Sequence, residues 1–480
     1  MSVPLAPAVS RHRLLTEPRR PRSVRESPHA AWLVVATVCI GAFMGQLDSS
    51  IVTLAFPTLR HDFGASLGAV QWVGQAYLLV LIGLLSAVGR YADMIGRKLL
   101  YTYGFGVFVV GSALCAVAPN LPALIGFRAL QGFGAAMLQA NSVAIIASAM
   151  PRRILGRAIG VQAACQALGL ALGPAVGGLL IGAGGWRLIF WVNVPAGIVG
   201  ATLGWYLIPR SRHLLGRAPF DWPGLALFLP AVCALLLAVS SASRAGSAAA
   251  YVVGLGVATV VLGAAFVVRE RRAATPMLDL KLFRRLPFTA GITSGLLSYL
   301  VLFGVLTVVP FYLEDGRGLS TRTAGLLIMV LPLALGLTSP VAGRLSDRFG
   351  PRMPTVAGMA VVAAALLALA LAPHDTAVFL ALLALLGIGI GAFTPPNNTA
   401  IMASVPHTQA GMASGVLNMT RGLGTSLGLA IAGLIYTVAA GSGAVGAASG
   451  HGFDVVAASL AGCALVAAAV AAARGKPRRS

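Results

Sequence analysis

Apolar residues fall into fourteen long runs separated by short polar breaks. The runs cover approximately 31–56, 69–91, 99–118, 122–149, 154–182, 187–208, 221–242, 249–268, 288–313, 324–345, 353–372, 376–403, 410–440 and 454–473. A stretch of ~20 apolar residues crosses a bilayer as a helix. Lipid offers no partner to an open backbone group, so every run is expected to be helical. The first run is too long for the apolar core of a signal peptide, and no small-residue cleavage site follows it. It is therefore expected to be an uncleaved first span.

The polar breaks repeat. Gly89 to Lys98 reads GRYADMIGRK and Gly343 to Arg352 reads GRLSDRFGPR, 254 residues apart. Gly160 to Gly178 aligns with Gly415 to Gly433 at an offset of 255, with Gly160, Gly169, Gly173 and Gly178 matched by glycines. In each pair the copies are eight runs apart. Two six-helix halves would differ by six, so runs 7 and 8 are an insertion between the halves. The expected organisation is a basic tail (1–30), an N-terminal six-helix bundle (31–208), a linker with two extra spans (209–287), a C-terminal six-helix bundle (288–473) and a second basic tail (474–480). The first tail, rich in Arg and Pro, is expected to be disordered.

Composition agrees with a membrane class: 58% of the 480 residues are hydrophobic and only 10% charged. The net charge of +22 raises the possibility of nucleic-acid binding, but its placement argues against it. With the N-terminus inside, 28 of the 35 Lys and Arg residues fall on the cytoplasmic side. Five fall outside (Arg60, Arg187, Arg244, Arg317, Arg322) and two lie within spans (Arg128, Arg421). That bias sets the orientation in the plasma membrane, with both termini cytoplasmic. Cys39, Cys115, Cys165, Cys233 and Cys463 all lie in apolar runs without metal-ligand spacing. No GxxxxGK[ST] loop occurs, so ATP hydrolysis is not the expected energy source, and no cofactor beyond a coupling proton is expected.

Of thirteen acidic residues only Asp48 lies well inside a span. An embedded carboxylate is a functional candidate. Asp48 lies nine residues from Pro57, ~14 Å along a helix, and Arg128 lies six from Pro122, ~9 Å, so both sit at similar depth. Arg128, Gln131, Ala135, Gln139 and Ser142 share one helical face, and such a stripe is expected to line a cavity. The competing reading is a permanent ion pair that only packs helices. Gly169, Gly173 and Gly177 share another face with Gln162 and Gln166, and Pro174 interrupts the backbone ladder. In the second half Phe303 and Leu383 stand at the positions matching Asp48 and Arg128. Its polar candidates are Asn397, Asn398 and Arg421, the last either touching substrate or bonding a carbonyl.

Five stretches, in order, resemble the major facilitator superfamily and its fourteen-helix drug:proton antiporters: LDSSIVTLAFP (Leu47–Pro57), GRYADMIGRK, LIGFRALQGFGAA (Leu124–Ala136), GLALGPAVGG (Gly169–Gly178) and WRLIFWVNVPAG (Trp186–Gly197). The resemblance implies two six-helix bundles around a central cavity and export of a small lipophilic drug in exchange for protons. A metabolite exporter, a proton-coupled uptake carrier, and a non-transporting receptor or scaffold are the alternatives. By the same resemblance Arg128 takes part in proton transfer and Gly169, Gly173, Pro174, Gly177 and Gly178 mark the antiporter helix. Gly89, Arg90, Asp93, Gly96, Arg97 and Lys98, with Asp347 and Arg348 of the second copy, hold a cytoplasmic gate. Pro351 stands where the first copy has Arg97, so the second gate is expected to be weaker. The protein is expected to act as a monomer on a small-molecule substrate.

Overall fold

The computed structural model describes residues 17, 19–211, 219–242, 249–371, 375–440 and 447–474. Among these, fourteen helices are long and apolar enough to cross a membrane. They are α1 (Ala30–Phe63), α2 (Gly68–Ile95), α3 (Arg97–Ala116), α4 (Leu121–Ala149), α5 (Arg152–Gly184), α6 (Leu188–Leu207), α7 (Trp222–Ser241), α8 (Ala249–Arg272), α9 (Leu286–Gly316), α10 (Thr323–Phe349), α11 (Arg352–Leu371), α12 (Thr376–Ala403), α13 (His407–Ala440) and α14 (Gly450–Ala472). Local chemistry sets several starts. The Asn120 side chain accepts from the amide of Ala123 at 2.9 Å, and Asp375 caps α12 through Ala377 and Val378. Gly96 takes φ 123° and Gly350 takes φ 83°, a backbone region closed to most L-residues. Each stands three residues after a repeated aspartate and lets the next helix turn back.

The packing obeys the eight-helix offset. α1 packs on α5 as α9 packs on α13, α2 on α4 as α10 on α12, and α3 on α6 as α11 on α14. The fold is two pseudo-repeated six-helix bundles with α7 and α8 added; α7 and α8 pair with each other, and α7 leans on α2 and α13. The glycine repeat explains the equivalence. A Cβ at Gly169 would lie 2.6 Å from the carbonyl oxygen of Phe43 on α1, and a Cβ at Gly424 would lie 2.4 Å from that of Leu296 on α9. Lipid supplies little hydrophobic force between helices, so close backbone approach is what holds each bundle.

The halves meet through α2 against α13 and α5 against α10. Glycine faces glycine at both crossings. A Cβ on Gly89 would stand 2.3 Å from the carbonyl oxygen of Gly411, and one on Gly343 would stand 2.2 Å from that of Gly156. These crossings lie at the end of the bundle that carries most of the basic residues, called the basic end below.

Both expected tails begin differently from the sequence reading. Arg22–Arg25 forms a helical turn. The Glu17 carboxylate accepts from the Ser211 amide and hydroxyl at 2.5 and 2.7 Å and from the Leu99 amide at 3.3 Å. Arg474 is buried rather than solvated. The remainder of both tails, 1–16, 18 and 475–480, and the loop holding Arg244 lie outside the described residues. Polar partners on the bundle, invisible to composition, order what is described.

Because backbone fills the Gly343 crossing, Gly343→Leu is expected to prevent the halves from closing at the basic end. In a background lacking the native cysteines, maleimide labelling of a cysteine placed at buried Ser346 should rise by roughly tenfold or more, from an overlap costing ~1–3 kcal/mol. Unchanged labelling would refute the crossing as the closing contact.

Candidate functional site

Three polar constellations sit in this frame: a candidate gate at the basic end, a buried carboxylate cluster in the N-terminal half, and a central cavity.

The gate is built from two aspartates and two helix starts. Asp93, at the end of α2, accepts from the amides of Gly411 and Met412 on α13 at 2.9 and 2.8 Å. Asp347, at the end of α10, accepts from the amides of Gly156 and Arg157 on α5 at 2.7 and 2.9 Å. Each half thus places a carboxylate on the first turn of a helix in the other, where unpaired N–H groups and the helix dipole favour an anion. Arg97 then clamps Asp93 through Nε and Nη2 at 2.9 and 2.7 Å, and its Nη2 also donates to the His407 carbonyl at 2.6 Å.

Among the described residues no arginine is in an ion pair with the second copy's acid, Asp347. That is the physical content of Pro351 replacing the counterpart of Arg97. The other basic members of the repeat are placed differently. Lys98 is buried beneath the N-terminal segment, Arg90 is half-buried outside the gate's hydrogen bonds, and Arg348 is exposed against the Phe349 ring. Arg348 is not among the groups that bond Asp347 at the gate.

The carboxylate cluster joins five helices. Asp48 Oδ2 accepts from Arg128 Nη1 at 2.8 Å, and Oδ1 accepts from Gln131 Nε2 at 3.0 Å and Asn193 Nδ2 at 2.9 Å. The hydroxyl of Ser112 on α3 accepts from Gln131 and Asn193 at 2.8 and 3.2 Å. Arg128 also donates through Nε to the Val73 carbonyl of α2 at 3.1 Å and lies 4.3 Å from the Tyr77 ring centroid. Asp48 and Arg128 are each 1% exposed. The arginine reaches the carboxylate with one nitrogen only, so no bidentate fork locks the pair.

The central cavity, about 510 Å³, lies between the halves. Gln46, Ser49, Ser50 and Thr53 of α1, Gln139 of α4, Pro174 of α5, and Tyr299 and Phe303 of α9 face it, and leucines of α2 add apolar wall. Its floor toward the basic end includes Asn418, whose Nδ2 donates to the Gln139 carbonyl across the halves at 2.9 Å. Gly325 and Met329, near the opposite end of α10, line it as well, so it extends away from the closed gate.

Two expectations about the stripe on α4 change. Gln139 reaches the cavity, but Gln131 and Arg128 turn into the N-terminal bundle. Buried polar groups go where partners are, and Asp48, Asn193 and Ser112 provide them. Asp48 itself is screened from the cavity by the opposite face of α1. On α5, Gly169, Gly173 and Gly177 meet α1; a Cβ on Gly173 would fall within the side chain of Ser50. Gly178 has open space and Gln162 and Gln166 do not line the cavity. Asn397, Asn398 and Arg421 line a separate small pocket in the C-terminal half. Asn193 and Ser112 escaped sequence reasoning. Asn193 lies within the Trp186–Gly197 stretch, and a lone amide side chain in an apolar run was the available signal.

The profile of the Major Facilitator Superfamily matches residues 38–429 and 291–479. The chain belongs to that superfamily. It is 36% identical to the "Multidrug efflux pump LfrA" of Mycolicibacterium smegmatis, over 86% of this chain and 82% of that one. It is 35% identical to the "Riboflavin transporter RibZ" of Clostridioides difficile, over 83% and 87%. The crystal structure of the human organic anion transporter MFSD10 shares the fold at a TM-score of 0.67 with 16% identity, covering 93% of this chain and 100% of that one. Members of the superfamily are multi-pass carriers of small molecules, so the central cavity is the candidate passage.

Unequal clamping gives unequal gate variants. Asp93→Asn removes the charge from a buried, arginine-clamped acid, a class of loss worth about 3–5 kcal/mol. Asp347→Asn loses only a carboxylate on helix amides, about 1–2 kcal/mol. Distances between spin labels across the basic end should shift toward the open population far more in the first variant. Equal shifts would contradict the asymmetry.

Proposed function

We propose that the chain exports small lipophilic compounds in exchange for protons, by alternating access in the plasma membrane. The basic-residue bias puts the basic end and both termini in the cytoplasm. In that orientation the gate closes the cytoplasmic side and the cavity faces outward. The observation that carries the coupling is Asp48: it is the sole acid in the membrane interior, and every contact it makes is set around its negative charge. Protonation removes that charge and leaves Arg128 with Gln131 and the Val73 carbonyl. The five helices of the cluster then lose their common anchor, and the balance between the two states shifts.

Proton and substrate occupy different places in this scheme. The cavity takes the compound on largely apolar walls with a few hydroxyl and amide groups, a lining suited to drug-sized lipophiles. The cluster takes the proton on the other side of α1. The names of relatives support both a drug and a metabolite as cargo; the riboflavin transporter keeps metabolite export as the second reading. As a secondary carrier the protein couples fluxes and makes no covalent change in its cargo.

In inverted vesicles, acidifying the lumen is expected to drive substrate inward. Asp48→Asn is expected to abolish this pH-driven uptake, by at least roughly 100-fold for a missing coupling charge, while leaving downhill exchange and membrane insertion intact. Undiminished coupled uptake by that variant removes Asp48 from the mechanism. Efflux on acidification counts against antiport.

A further inference from the structure

The C-terminal half buries a second polar cluster that holds two cations and, among the described residues, no carboxylate. Arg421 on α13 is 8% exposed. Its Nη1 donates to Asn418 Oδ1 at 3.3 Å, and its guanidinium carbon lies 4.8 Å from the Tyr299 ring centroid. Its Nη2 is buried and has no hydrogen-bond partner among the described residues. From the other side Arg474, just beyond α14, folds back between α9 and α12. Its Nη2 donates to Ser294 Oγ at 2.8 Å and to Asn397 Oδ1, while its Nε and Nη1 are also buried without partners. Among the described residues neither arginine is in an ion pair.

A buried guanidinium with unused donors is costly, and the usual remedy is an anion. In the N-terminal half the chain supplies one, Asp48 on Arg128. Here the described residues supply none, and burial holds the Arg474 guanidinium down at about 10, as for a cation without compensation. Between Arg421 and the Arg474–Asn397 contact lies a pocket of about 10 Å³, bounded by Asn398, Thr420 and Tyr299 among others. That is room for about one oxygen-sized group. Tyr299 lines this pocket and the central cavity alike, so the two are neighbours at that residue.

We propose that the missing anion arrives with the cargo: the Arg421 pocket is a subsite for an acidic oxygen group, a carboxylate, enolate or phenolate, on an otherwise lipophilic compound. The cargo body occupies the central cavity and its acidic oxygen reaches past Tyr299 to Arg421. Arg474 acts from behind, fixing Asn397. This inference rests on the export reading and narrows it from lipophiles in general to acidic or zwitterionic ones. A small inorganic anion offers the same chemistry from another source, and the test separates the two.

The protein in nanodiscs is titrated by fluorescence anisotropy with fluorescein, an anionic xanthene, and with rhodamine 6G, a cationic one of similar shape. Fluorescein is expected to bind more tightly. Arg421→Gln should weaken it roughly 10- to 100-fold, the range for a lost charged hydrogen-bond partner, and leave rhodamine 6G unchanged. Arg421→Lys should restore part of the loss. No fluorescein binding by the wild type, no preference between the dyes, or equal loss of both in Arg421→Gln overturns the assignment. Displacement of fluorescein when chloride replaces gluconate at constant ionic strength reassigns the site to an inorganic anion and overturns it equally. If any of these occurs while pH-driven flux of rhodamine 6G persists, export stands without the anion subsite. If fluorescein selectivity holds and no cargo shows pH-driven flux, export fails and the subsite stands.

Discussion

A carboxylate resting on the first turn of a helix from the opposite half is the contact on which the rest of this structure depends. It occurs twice, Asp93 on α13 and Asp347 on α5. The interaction needs no side-chain partner, because backbone amides and the helix dipole are the counter-charge. It is strong when dry and easily replaced by water, which is what the proposed reversible closure requires. Glycine pairs beneath each acid let the backbones come close enough to keep the contact dry. The cavity extends away from this contact, toward the opposite end of α10.

Duplication made this part of the protein legible. Gly89–Lys98 and Gly343–Arg352 announced two equivalent devices, and the glycine repeat announced equivalent helix contacts. What the sequence did not reveal was the partner. Nothing in Gly411-Met412 or Gly156-Arg157 marks those amides as receptors, since any helix start has them. Only the packing of α2 on α13 and α5 on α10 selects these two.

The deep site was legible to the extent that charge is rare in lipid. Asp48 and Arg128 stood out by depth alone, and the structure joins them at 2.8 Å. Neutral partners were harder: Asn193 and Ser112 carry no charge to betray them, and their importance lies in which helix face meets α1. Arg474 was concealed for the opposite reason. Among the terminal arginines it looked like one more topology signal, and only the amide and hydroxyl groups of Asn397 and Ser294 draw it inward.

The placement of Asp48 behind α1, out of reach of the cavity, has a consequence for how such a carrier diversifies. Cavity-lining positions such as Gln46, Thr53, Phe303 and Thr425 are not among the side-chain hydrogen-bond partners of Asp48. On the proposed scheme, substitutions there change what is carried without retuning what drives it. Under that scheme a lineage acquires new cargoes one wall residue at a time, keeping an energy source that never has to be reinvented.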